Sequence, residues 1–142
     1  MRFMIIRKAD ADTEAGVMPG EQLLADMMKY NEAMVKAGVM LAGEGLQPSA
    51  KGARIRFRDG TPTVVDGPFT ETKELIAGFS IIQVGSRAEA IEWIKRWPAS
   101  DARGNVELEL RQVFEADDFG AEFTPELREQ EERLRAQVAA KH

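Results

Sequence analysis

The first forty residues read as a strand, a helix and a second strand. Residues 2–8 carry apolar side chains on both parities, which is typical of a central strand covered on both faces. From about residue 20 to residue 36, apolar residues recur at helical spacing, and polar residues form the opposite side. The helical stripe consists of Leu23, Met27, Tyr30 and Met34. Residues 39–42 form a short apolar segment, which predicts a strand.

A β-hairpin is predicted in the middle of the chain. Residues 54–58 alternate between arginine and apolar side chains and run into Asp59-Gly60, a strong turn signal. Residues 63–65 then return as the second strand. The pattern indicates a two-stranded arm with one charged face.

The last elements of the body are a strand, a helix and a strand. Residues 78–84 predict the first strand, and Ser86 and Glu89 have the spacing of a capping box, in which both side chains bind the free amides that open a helix. That helix ends before Pro98. Its inward residues are predicted to be Ala90, Ile91, Ile94 and Trp97. Residues 106–111 alternate as the final strand.

The element order predicts an α+β fold of the ferredoxin-like βαββαβ type with an inserted β-hairpin. Two helices cover only one face of such a sheet. Apolar residues nevertheless occupy parities that cannot all face those helices, namely Met4, Ile6, Ile82 and Val84. A second copy of the sheet is the simplest cover for the other face, so the packing argument predicts a homodimer.

The composition changes after residue 114, so we predict one domain over residues 1–114 and an acidic linker with a helical extension over residues 115–142. The extension has eight acidic and four basic side chains. Its helix is expected to start at Thr124 and Pro125, an N-cap followed by proline. A narrow apolar stripe follows, formed by Leu127, Leu134 and Val138. Two uses of this stripe remain open. The helix could dock on its own subunit or a neighbouring one, or it could bind a separate protein.

Composition excludes several classes of chemistry. The 142 residues carry a net charge of −5, and no strongly basic surface that favours direct nucleic-acid binding is expected. Without cysteine, disulfides and thiolate chemistry are excluded, and the only histidine is His142. We therefore expect no metal site and no cofactor. No stretch approaches the ~20 apolar residues of a membrane span, and the N-terminus does not resemble a signal peptide, so a cytoplasmic protein is expected.

The densest candidate chemistry lies between residues 66 and 74. Asp66-Gly67-Pro68 forces a tight turn at a strand end, and Glu71 and Lys73 follow closely. Asp66 is the candidate catalytic acid or base, and it equally suits a structural turn cap. Glu71, Lys73, Glu44 and Arg56 are the candidate ligand-binding residues. They would line a cleft between the sheet and the arginine face of the arm, a face that equally suits protection of an edge strand.

The same segment resembles a known family. The motif is Asp66-Gly67-Pro68-Phe69, continued by Thr70-Glu71-Thr72-Lys73-Glu74 and Gly78-Phe79. Its ordered companions are Gly43-Glu44-Gly45-Leu46-Gln47-Pro48 and Ala90-Ile91-Glu92-Trp93. Over about residues 1–114 the chain resembles the DGPF-domain branch of the YCII-related family. That resemblance implies a ferredoxin-like subunit forming a dimeric α/β barrel.

The resemblance implies two kinds of function. Related proteins resemble muconolactone-isomerase-like enzymes suspected of acid–base chemistry through a histidine and an aspartate, and Asp66 matches only the aspartate. DGPF proteins also resemble partners encoded beside extracytoplasmic-function sigma factors. Because the histidine is missing, we expect a small-molecule-binding or regulatory homodimer. The second resemblance adds association with such a sigma factor to this expectation. The alternatives are an isomerase or lyase using Asp66 as general acid or base, and a purely structural assembly protein.

Overall fold

The computed structural model describes residues 1–142 and separates them into two units, Met1–Gln112 and Val113–His142. The first unit contains a four-stranded antiparallel sheet with the strand order β2-β5-β1-β6. A second sheet is the two-stranded hairpin β3-β4. The strands are β1 (Arg2–Lys8), β2 (Met40–Gly45), β3 (Ala53–Arg58), β4 (Thr61–Asp66), β5 (Ile76–Gln83) and β6 (Leu108–Gln112).

The helices of the first unit are α1 (Ala11–Glu14), α2 (Glu21–Lys36) and α3 (Arg87–Ile94). With the hairpin set aside, the order of strands and the two longer helices is βαββαβ, and the order of strands in the sheet is that of a ferredoxin-like fold. The predicted fold and the inserted hairpin are therefore confirmed.

The core lies between one face of the sheet and the helices α2 and α3. Phe3 pairs with Ile82 and Ile5 with Ser80, so these side chains share that face. The buried apolar cluster is Phe3, Ile5, Tyr30, Met34, Val39, Ile82, Val84 and Ala90. We call this side of the sheet the helix face.

The opposite side, which we call the open face, has a different apolar set from the one predicted. The register pairs Met4 with Ile81 and Ile6 with Phe79, so these four side chains belong to it. Ile82 and Val84, expected to contribute to the surplus, are buried on the helix face instead. The sheet therefore does carry apolar residues on the face that the helices leave uncovered, as predicted. On β5, however, these residues are Phe79 and Ile81 and not Ile82 and Val84.

Local hydrogen bonds explain where the helices begin. Asp10 and Thr13 cap α1 reciprocally, since the Asp10 carboxylate accepts from the Thr13 amide at 2.8 Å and the Thr13 hydroxyl accepts from the Asp10 amide at 2.8 Å. Sequence analysis missed this helix. At α3, Ser86 accepts from the Glu89 amide as expected, whereas Glu89 accepts from the amide of Gly85. The helix ends at Ile94, one turn before Trp97.

The hairpin matches its sequence signal. Asp59 and Gly60 have φ values of 49° and 80°, the left-handed conformation that joins two twisted strands tightly. The three arginines of β3 share one face, and Arg56 pairs with Thr63. The other face is apolar and exposed, with Ile55 55%, Phe57 71% and Val64 64% accessible.

The turn after β4 packs directly on the segment after β2. A Cβ atom at Gly67 would lie 1.7 Å from the carbonyl oxygen of Ser49, so only glycine fits there. The hydroxyl of Ser49 accepts from the amide of Phe69 at 3.1 Å and donates to the carboxylate of Glu14 at 2.5 Å. The turn is thus fixed through Ser49 to α1.

The second unit contains one long helix, α4 (Pro125–Lys141). Thr124 caps it by accepting from the Leu127 amide at 3.3 Å, and the ion pairs Glu129–Arg133 and Glu131–Arg135 are formed along it at 3.0 and 2.6 Å. Before the helix, three aromatic rings contact one another in succession, namely Phe114, Phe119 and Phe123. No helix of the chain combines the length and apolar character needed to cross a membrane.

Candidate functional site

A cavity of about 670 Å³ in the first unit opens on the helix face of β2 and β5. Its walls come from α2, from the segment between α1 and α2, and from the residues after α3. The volume lies within the usual range of roughly 300–1,000 Å³ for small-molecule sites.

Missing side chains create this cavity. The register places Gly43 opposite Ser80 and Gly45 opposite Gly78, and all four line the cavity floor. A Cβ atom at Gly45 would meet nothing within 4 Å, whereas one at Gly78 would lie 3.0 Å from the backbone oxygen of Glu44. The helix face of the sheet therefore carries almost no side chains at the cavity floor. Elsewhere on the same face, the large side chains of the core cover it.

The walls of the cavity are mainly apolar. Leu23 and Met27 contribute from α2, Met40 from β2, and Trp97 from the turn after α3. The ring of Trp97 also meets Tyr30 edge-on at 5.5 Å between ring centroids. Such walls favour an apolar or aromatic ligand body.

A buried ionic network closes one end of the cavity. Arg7 donates to both carboxylate oxygens of Asp101, at 2.6 and 3.2 Å, and to Asp10 at 3.1 Å. The indole of Trp97 donates to Asp101 at 2.9 Å. Asp101 is only 5% exposed. Two carboxylates thus surround one guanidinium, and the network fixes the orientation of Trp97.

The charges in this network stabilise one another. Burial alone would lower the pKa of Arg7, but the hydrogen bonds and negative charges of Asp101 and Asp10 outweigh burial and raise it. Burial alone would likewise raise the pKa of Asp10, but hydrogen bonds from Thr13 and Arg7 and the charge of Arg7 lower it below its ordinary value. Arg7 and Asp10 are therefore both charged at neutral pH.

The backbone after Asp101 is unusual. Ala102 and Arg103 have φ values of 49° and 56°, and Gly104 follows at 84°. Left-handed backbone costs an ordinary residue about 1 kcal/mol or more, so the neighbouring contacts must hold this segment in place. The ion pair with Arg7 holds Asp101, the residue that precedes this segment.

The structure does not bring the five predicted site residues together. Asp66 ends β4 and is exposed, and Arg56 is exposed on β3. Glu71 and Lys73 are exposed in the turn that follows. Glu44 alone borders the cavity, although the alternation of β2 assigns its side chain to the open face. No ion pair or side-chain hydrogen bond joins any two of the five.

Sequence reasoning missed the polar residues of the cavity other than Glu44. Asn31 falls four residues after Met27, at the border of an apolar stripe that continues through Tyr30 and Met34, so its position gives no signal. Arg7 and Asp101 lie 94 positions apart, and nothing local connects them. No group of three or more acidic or histidine side chains in the chain is arranged to hold a metal ion.

Together, the sheet order and the cavity describe a ferredoxin-like α+β domain with a binding-sized recess. The model of the YCII-related domain matches residues 1–117, so the chain belongs to the YCII-related family. The motif Asp66–Phe69 is the basis for the predicted DGPF branch, which stays a prediction.

Two further similarities were found. The uncharacterized protein R00369 of Rhizobium meliloti (strain 1021) is 33% identical over 75 residues, which cover 53% of this chain and 60% of that protein. A solved structure of 5-chloro-2-hydroxyhydroquinone dehydrochlorinase from Burkholderia phenoliruptrix AC1100, in complex with 2,5-dihydroxybenzoquinone, is 17% identical. It covers 80% of this chain and 94% of that chain with a TM-score of 0.45, a level of likeness that carries no functional argument.

Proposed function

We propose that the protein is a small-molecule-binding homodimer whose ligand occupies the cavity on the helix face. The observation that carries this proposal is the 670 Å³ cavity itself, floored by glycines and walled by apolar side chains. A recess of that size beside the core of a small domain leaves apolar lining residues exposed, for example Leu24 at 51% and Met18 at 81%. A bound ligand would supply packing contacts for these side chains.

The open face of the sheet supports the homodimeric part of the proposal. Met4, Ile6, Phe79 and Ile81 lie on it, away from the core cluster that α2 and α3 cover. Lys8 and Glu109, whose charged groups are 4.0 Å apart, flank this apolar patch. A second copy of the same face would bury the patch, with charged residues at its edge.

The alternative of an isomerase or lyase acting through Asp66 has less support. A carboxylate that works as a general acid or base gains from burial and from a closed site that excludes water. Asp66 is exposed and lies outside the cavity. We therefore favour binding over catalysis at this residue.

A regulatory association with an extracytoplasmic-function sigma factor is the finer version of the proposal. The exposed stripe of α4 supports it, since Leu127, Leu134 and Val138 are 46%, 52% and 63% accessible. Co-purification of the full chain with a sigma factor encoded beside its gene tests the association. Leu134→Glu should abolish the co-purification, while Ala140→Glu on the same helix should preserve it.

The binding proposal is tested by filling the cavity. A screen of small apolar compounds by saturation-transfer NMR should yield binders of the full chain. Gly45→Leu, which directs a side chain into open space, should remove their signals. Ala88→Leu is the matched control because Ala88 is exposed on α3 and outside the cavity, and it should leave the signals unchanged. Binders that survive Gly45→Leu, or a screen without binders, would refute the proposal.

A further inference from the structure

The proposed ligand site has an unused polar group on its floor, the hydroxyl of Ser80. Ser80 is only 7% exposed, lines the cavity, and its hydroxyl makes no hydrogen bond within the chain. No fully buried side-chain oxygen or nitrogen of the chain lacks a hydrogen-bond partner, so the unpartnered hydroxyl of Ser80 keeps access to the water in the cavity. The hydroxyl is therefore available to a group that enters the cavity.

The absence of a side chain at Gly43 leaves room for Met40 beside this hydroxyl. A Cβ atom at position 43 would lie 2.6 Å from the terminal methyl group of Met40 and 3.5 Å from the Ser80 oxygen. The methyl group of Met40 therefore fills the space next to Gly43, and a larger residue at position 43 would displace it and crowd the hydroxyl.

A second polar group lines the same cavity from the helix side. Asn31 lines the cavity one turn after Met27 on α2, at the border of the apolar stripe that continues through Tyr30. Its side-chain amide makes no hydrogen bond within the chain, in contrast to the amide of Gln22, which donates to Asp26 at 2.8 Å. An amide and a hydroxyl, each able to donate and accept, thus line the recess beside the apolar side chains of α2 and β2.

The charges around the cavity decide which polar group would match. Arg7 is the cation at its buried end, and Asp101 and Asp10 both pair with it. A second cation, Arg103, also lines the cavity but is exposed, and with Asp12 and Glu44 the lining carries four acidic against two basic side chains. An anion would therefore lose its hydration in a site of net negative charge, whereas a neutral hydroxyl or carbonyl group would gain hydrogen bonds.

We propose that the cavity selects an uncharged, largely apolar molecule bearing a hydroxyl or carbonyl group, which Ser80 and Asn31 recognise by hydrogen bonds. This inference rests on the proposed binding function and deepens it. It assigns Ser80 and Asn31 as specificity-determining residues, which is a different role from the one predicted for Asp66 and its neighbours.

A matched pair of probes tests the inference. 1-Adamantanol and 1-adamantanecarboxylate share one apolar body and differ in charge. Titrations of the full chain, followed by ¹H–¹⁵N NMR, should shift the amides of Gly43, Gly45 and Ser80 with the alcohol. The carboxylate should bind at least about tenfold more weakly, because burying an unpaired charge is costly.

Substitutions identify the recognising residues. Ser80→Ala and Asn31→Leu should each weaken binding of 1-adamantanol by about three- to tenfold, the range expected for a neutral hydrogen bond. Thr63→Val on the hairpin and Gln83→Leu on β5 remove the same kinds of group outside the cavity and should leave the affinity unchanged. Thermal melting confirms that each variant folds, and two independent variants keep the test valid if one does not.

The outcomes separate the two proposals. If neither probe shifts the cavity amides, the binding function and the inference both fail. If the carboxylate binds as tightly as the alcohol, or if both Ser80→Ala and Asn31→Leu keep full affinity, the inference fails while the cavity remains a binding site. Weaker binding in both variants, with alcohol preferred, supports the inference.

Discussion

At the scale of single residues, the pair Arg7–Asp101 dominates the first unit. Both side chains are largely buried, with 13% and 7% of their surfaces accessible, and two hydrogen bonds join them. A buried charge that loses its partner is far more costly than an exposed one, because water cannot replace the partner. The pair also holds Trp97, through Asp101, against the cavity.

Asp101→Asn should therefore lower the free energy of unfolding by about 3–5 kcal/mol. Urea unfolding, followed by the fluorescence of the two tryptophans, measures this change. The control is Asp117→Asn, since Asp117 pairs with Arg128 but is 94% exposed, and its loss should have little effect. Equal free energies of unfolding for the two variants would contradict the claim that burial makes the Arg7–Asp101 pair more important than the exposed pair.

Tyr30 provides a second residue-scale prediction. It is the only tyrosine, its hydroxyl donates to the carbonyl of Trp93 at 2.7 Å, and burial raises its pKa to about 12 although Arg96 opposes the shift. Absorbance at 295 nm should show ionisation near pH 12. Because the folded pKa lies above the ordinary value of 10.0, its stabilising effect is complete below about pH 10 and is lost as the pH rises towards 12. Ionisation at pH 10 in the folded protein would contradict the buried position.

At the scale of elements, the sequence predicted those turns and helix starts that depend on interactions between neighbouring residues. The hairpin turn at Asp59-Gly60, the cap at Ser86 and the start of α4 at Thr124 each depend on residues within four positions, and all three are confirmed. The site depends on contacts between distant segments. Nothing in the sequence indicates that Arg7 meets Asp101, so the cavity could not be predicted.

The turn after β4 provides the element-scale prediction. Gly67→Ala should destabilise the first unit by about 2 kcal/mol or more, because its Cβ atom would overlap the Ser49 carbonyl and force the turn away from α1. Thermal unfolding measures the loss. Gly45→Ala, where nothing lies within 4 Å, should cost much less, and a similar loss in both variants would show that the close packing at Ser49 is unimportant.

At the scale of the whole molecule, the proposed homodimer depends on the open face. Ile81→Glu should convert a dimer into a monomer in sedimentation velocity experiments, since a charge in an apolar interface cannot be hydrated. Val35→Glu introduces the same charge at an exposed position of α2 and should leave the dimer intact. A monomeric parent protein at micromolar concentration would contradict the proposed assembly.

The glycine floor of the cavity has a consequence for how relatives diverge. Because the space results from absent side chains rather than from loop length, point mutations can resize it without rebuilding the domain. Position 45 tolerates added bulk, whereas Gly78 faces backbone and resists replacement. Preference for smaller or larger compounds is therefore evolvable at one strand position while the scaffold around it stays constant.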